Sequence, residues 1–243
     1  MNFRNNPAAA WAGPLLLFTC FLLLIGGFRS HKIDAPWYFA RPQMWVYPLQ
    51  TFVVLGVIVF WWRNYTFGPL NRRIVLWSGI AGAAGIGVWL LPSWMFNQGW
   101  VPENEWLGFT SRAGDETSFN PEKLTGLDFW SAILMRFLRA AVVVAFAEEL
   151  FWRGFLWRML SDRFRDFSVV PFAQKSALAF AGVTAGFVLA HTKPDYAAAV
   201  IYASIISWLY LRTKSVGACV IAHGVSNLLM GIYIMATKQW GLW

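Results

Sequence analysis

Charged residues are spaced along the chain so that long apolar intervals separate them. Between Arg4 and Arg29 lie 24 residues without a charge, between Arg41 and Arg63 another 21, and between Arg73 and Glu103 another 29. Each interval reaches the roughly 20 apolar residues that a helix needs to cross the hydrocarbon core of a bilayer. Further apolar runs follow the polar stretch 97–128. The pattern predicts seven membrane helices near 9–28, 44–62, 74–96, 129–156, 176–192, 196–211 and 216–236. The expected fold is therefore an all-α, polytopic transmembrane bundle. No internal repeat or low-complexity tract is visible. The chain divides into an N-terminal three-helix region, 1–96, a polar acidic connection, 97–128, and a C-terminal membrane region, 129–236.

Composition supports this reading. Hydrophobic residues make up 58% of the 243 positions and charged residues only 13%, against roughly 25% charged in an ordinary soluble domain. The first apolar stretch is long for a cleaved signal peptide and lacks a small-residue cleavage site, so it reads as a retained helix. The net charge of +8 comes from residues scattered between apolar spans. Such residues orient connections under the positive-inside rule, and nucleic acid is not an expected partner. With the N-terminus inside, ten basic residues fall in the inner connections and seven in the outer ones. That places the acidic 97–128 stretch outside. Cys20 and Cys219 both sit in apolar segments and read as small packing residues.

The two halves differ in the chemistry they carry. Ionisable residues are absent from the first three predicted spans. The last four contain Arg136, Arg139, Glu148, Glu149, Arg153, His191 and His223. A charge at mid-membrane costs about 2.5–3.5 kcal/mol on insertion scales, so such groups face the bundle interior and mark function. In "AFAEELFWRGFL", residues 145–156, Glu149 and Arg153 are four apart and share a helix face, where they can pair. Glu148 is turned by about 100° from Glu149 and is left free. His191 ends "GFVLAH", four residues after Phe187, and His223 in "IAHGVSNLL" precedes Asn227 by four. A pure ion-pair network joining helices would explain Glu149 and Arg153 but not the second glutamate. Glu148, two histidines and an amide together supply a base, an orienting imidazole and hydrogen-bond donors, the parts of a hydrolytic site. His31, beside charged residues in a connection, reads as a surface histidine.

These stretches resemble the motifs EExxxR, FxxxH and Hxxx(N/D) of the CAAX prenyl protease and bacteriocin-processing family of intramembrane glutamate proteases. The motifs occur in that order, and Glu148, Glu149, Arg153, Phe187, His191, His223 and Asn227 all match. The resemblance covers roughly 129–236, and the chain is also similar to the bacterial branch associated with exosortases. It implies cleavage of a peptide bond in a membrane-associated protein or peptide, within the cell membrane and without a cofactor. By the same resemblance, Glu148 is the general base and His191 binds and polarises the water. His223 and Asn227 form the oxyanion hole, and Glu149 and Arg153 brace the site. Three alternatives compete. A zinc peptidase would use the histidines and Glu148 as ligands, although the chain lacks HExxH. A non-catalytic immunity or scaffold protein would not need the full set. A proton-coupled carrier would show paired halves, and none is visible.

Overall fold

A computed structural model describes residues 3–28, 36–40, 42–114 and 118–243. Among these residues, seven long helices lie where the apolar intervals predict them: α1 (Pro7–Phe28), α2 (Gln43–Phe60), α3 (Arg72–Asn97), α4 (Gly126–Ser161), α5 (Ala177–Leu189), α6 (Tyr196–Thr213) and α7 (Val216–Thr237). Among the described residues there is no strand, only an isolated bridge between Asn104 and Phe109. Four helices (α1, α3, α4 and α7) are long and apolar enough to cross a membrane on those grounds alone. The remaining three are shorter or less apolar. For α6 the reason is its place in the bundle: Ala199, Tyr202, Ala203, Ile206 and Tyr210 are all buried, so its neighbours rather than lipid set its composition. His31 lies outside the described residues.

Short polar side chains fix several helix starts by accepting the orphan backbone N–H groups of the first turn. Asn71 caps α3 through Ile74 N at 2.9 Å, Ser176 caps α5 through Ala179 N at 3.1 Å, and Ser215 caps α7 through Ala218 N at 3.1 Å. Small residues then let helices approach closely, which is the main route to association where lipid is as apolar as the interface. The backbone of α3 at Gly82 comes so near α7 that a Cβ there would collide with the Ala222 carbonyl. Gly154 on α4 likewise leaves room for the Trp11 ring of α1.

Contacts between connections sort the ends of the helices into two groups. At one end Asn64 donates to the Arg4 carbonyl at 3.1 Å, and Gly217 N and Ser215 Oγ both donate to the Phe67 carbonyl at 2.9 and 2.8 Å. At the other end the 98–125 connection meets the short turn between α5 and α6 and the residues after α7. Arg112 pairs with Asp195 at 2.7 Å, Gly241 N donates to the Arg112 carbonyl at 3.0 Å, and Lys238 pairs with Glu122 at 2.5 Å. The grouping is the one that seven crossings require, with the N-terminus and the segment after α7 at opposite ends.

Candidate active site

Helix α4 carries the glutamates, and it is not a regular α-helix. It widens into π-helical geometry at Arg139–Val144 and again at Leu150–Leu156. Arg139 and Glu148 are nine positions apart, which on a regular helix would set them about 180° apart. A π turn takes up one more residue than an α turn. The offset falls to about 80°, and that of Arg136 from about 120° to about 20°. Both arginines consequently line the same cavity as Glu148.

The two adjacent glutamates have different surroundings. Glu149 is fully buried and its Oε1 accepts from Arg153 Nη1 at 3.0 Å and from His223 Nδ1 at 2.9 Å. Oε2 is also 3.0 Å from that guanidinium nitrogen but receives no directed hydrogen bond. The pairing of Glu149 with Arg153 agrees with the helix spacing, while the His223 contact adds a second helix. It is not a parallel two-nitrogen fork, because Arg153 Nη2 turns to the Ala203 carbonyl at 3.4 Å. Glu148 is half-buried on the cavity wall. Among the described residues its one protein hydrogen bond comes from Trp152 Nε1 at 3.3 Å.

Two further helices complete the wall. His191 follows the end of α5, and its Nδ1 lies 2.7 Å from the Phe187 carbonyl. A carbonyl only accepts, so Nδ1 carries a proton, and in the neutral ring Nε2 keeps a lone pair. The imidazole is wedged between the rings of Phe187 and Trp89, with centroids 4.5 and 5.1 Å away. On α7, Asn227 Nδ2 donates to the Ala140 carbonyl at 2.8 Å, inside the first π segment of α4. That bond uses one amide N–H and leaves the other. Glu148, Phe187, His191, His223 and Asn227 all line one cavity of about 390 Å³, while Glu149 and Arg153 stand behind it.

Several lining residues were not singled out by sequence. Trp89, Tyr202 and Ser226 are among them: Tyr202 OH donates to Ser226 Oγ at 3.2 Å, and Ser226 reaches the Gly82 carbonyl at 2.9 Å. An isolated Tyr or Trp in an apolar helix gives no signal that separates it from packing. Arg136 and Arg139 were visible as intramembrane charges, but a regular helix turns Arg139 away from Glu148. Among the described residues no group of three or more His, Cys, Asp or Glu side chains is arranged to hold a metal ion.

Comparison with known proteins bears on this cavity. Residues 130–229 match the family model described as "Rce1-like: Type II CAAX prenyl endopeptidase Rce1-like". That segment spans α4 to α7 and includes every position of the three motifs. The description names the CAAX endopeptidases and not the exosortase-associated branch. No curated protein and no solved structure matches the chain. Helices of membrane-spanning length surround a cavity lined by the motif residues of that segment, and over residues 130–229 the chain is similar to the type II CAAX prenyl endopeptidases.

Proposed function

We propose that the chain is an intramembrane endopeptidase of the cell membrane, cleaving a membrane-associated protein or peptide with water activated by Glu148. The observation that carries this reading is the unequal use of the two glutamates. Glu149 is consumed by Arg153 and His223, whereas Glu148 keeps acceptor capacity on a cavity wall that it shares with His191. A water between Glu148 and His191 Nε2 meets two acceptors. It donates one O–H to each and turns its own lone pair toward an incoming carbonyl carbon.

Glu148 takes the water proton as the oxygen adds to that carbon, and the carbonyl oxygen becomes an oxyanion. With Nδ1 committed to Glu149, a protonated His223 donates to the oxyanion from Nε2, and Asn227 donates its second amide N–H. Buried, pre-aimed donors of this kind supply most of the stabilisation in acyl-transfer sites. Glu148 then returns its proton to the leaving nitrogen and the C–N bond breaks. One water is consumed, and a carboxylic acid and an amine are formed.

The test is Glu148→Gln, which keeps size and one acceptor but removes the base. Cleavage should fall by about 10²–10⁴-fold, the usual worth of a general base. The protein should still accumulate as a folded species, because no charge partner is stranded. Membrane proteomes of cells carrying either form would show which precursors remain uncut. Retention of full activity by Glu148→Gln would sink the assignment.

A further inference from the structure

The mechanism above does not use Arg136 or Arg139, although both line its cavity. They also line a second cavity of about 320 Å³, walled mainly by apolar side chains such as Met44, Tyr47, Leu124 and Met135. The two arginines therefore stand where the cavities adjoin. Among the described residues neither forms an ion pair, with Glu148, Asp128, Asp195 or any other carboxylate. Guanidinium groups in a membrane helix that lack a countercharge need a reason to be there.

Their surroundings hold them while leaving their donors open. Arg136 lies over the Phe119 ring at 3.7 Å from the centroid and near those of Trp243 and Tyr47 at 5.3 and 5.5 Å. Arg139 lies over Tyr47 at 4.1 Å and Phe18 at 4.8 Å. Aromatic faces attract the plane of the cation and leave the N–H edges unused. Arg139 Nε is further fixed by Gln50 Oε1 at 2.8 Å. Gln50, fully buried, is itself anchored by donating to the Phe18 carbonyl at 2.7 Å. This relay from α1 and α2 positions one arginine and leaves its terminal nitrogens for something that enters the cavity.

We infer that Arg136 and Arg139 form a carboxylate-binding subsite that selects peptide substrates bearing a negative group a short distance from the scissile bond. The inference rests on the peptidase reading of the cavity. Planar guanidinium groups match a carboxylate through paired N–H donors. Nine positions along α4 separate Arg139 from Glu148, a rise of about 13 Å, which about four residues of extended chain would span. The carboxylate can belong to an acidic side chain or to a free C-terminus. The adjoining apolar cavity would take a hydrophobic side chain beside it.

The experiment uses the full chain in lipid nanodiscs and three acetylated, otherwise apolar pentapeptides. One ends in a free carboxylate, one is C-terminally amidated, and one is amidated with a glutamate at its last position. Binding is read by competition and by thermal shift, so it does not depend on turnover. Either carboxylate peptide should bind at least about ten-fold more tightly than the neutral amide, the worth of one charged hydrogen-bonded pair. A preference confined to the free terminus, or to the glutamate, identifies the source. In Arg136→Gln and Arg139→Gln the preference should vanish, and a cooperative melting transition of each variant without peptide shows that it is folded. Arg139→Lys should keep part of it. The preference should survive in Glu148→Gln, so a failed hydrolysis assignment and a failed subsite give different results. Equal affinity for all three peptides in the wild-type protein overturns the proposal. So does a loss of charge dependence on adding anionic vesicles, which would assign the arginines to lipid.

Discussion

A carboxylate shared by a guanidinium and an imidazole cannot be removed without leaving both unsatisfied. Glu149, Arg153 and His223 form such a unit on α4 and α7, with Glu149 and Arg153 fully buried. Glu149→Gln would leave Arg153 charged and uncompensated, at about 3–5 kcal/mol for breaking a buried pair. That is a large share of a typical folding free energy of about 5–15 kcal/mol. Melting temperature and yield should therefore fall together with activity, in contrast to Glu148→Gln. Arg153→Lys should be milder. The single nitrogen that faces both Glu149 oxygens can be replaced by an ammonium, and the bond lost is the longer one to Ala203. Melting curves and cleavage rate per folded molecule for these two variants test the ranking. An unchanged melting temperature for Glu149→Gln would show that the ion pair is not what holds the helices.

At the scale of the helices, much was legible because a bilayer imposes one strong rule. Polar side chains interrupt the apolar runs at the interfaces, so the predicted 44–62, 196–211 and 216–236 fall within two residues of Gln43–Phe60, Tyr196–Thr213 and Val216–Thr237. The pairing of Glu149 with Arg153, and the separate lot of Glu148, followed from the 100° step of a helix. What the step could not reveal is where it fails. The π segments of α4 depend on how α7 packs against it, with Asn227 donating into the first one and Gly224 lying 2.7 Å, as a Cβ, from the Ala141 carbonyl. No local residue choice in "RAAVVV" announces that geometry. The arginines it rotates toward Glu148 were therefore read as charges without a place. The bond between Gln50 and Arg139 joins residues 89 apart and was equally out of reach of local spacing.

For the whole molecule, the cavity extends to the end where the 98–125 connection, the α5–α6 turn and the residues after α7 meet. Arg112, Asp195 and Gly241 line it there. Under the charge bias of the sequence that end faces outward. A cysteine introduced at the exposed Glu105 should react with a membrane-impermeant reagent in intact cells. Thr117, the more central position in that connection, lies outside the described residues. Labelling only after the cells are opened would invert the orientation. The shortness of α5 matters to the lipid around it. Its 13 residues rise about 20 Å, against a hydrocarbon core of about 30 Å. His191 begins just beyond its last turn, at a depth where an ordinary bilayer would still be oil. Thinning of the lipid beside α5 would match it, and such a mismatch costs a fraction of a kcal/mol per Å. The dimple would bring bulk water close to His191, the imidazole proposed to position the reacting water. Acyl-chain length should thus act on turnover: cleavage should run faster in vesicles of short-chain lipid and slow progressively in longer-chain ones, at equal melting temperature. A rate indifferent to bilayer thickness, or rising with it, would mean that water reaches Glu148 by way of the outer connection alone.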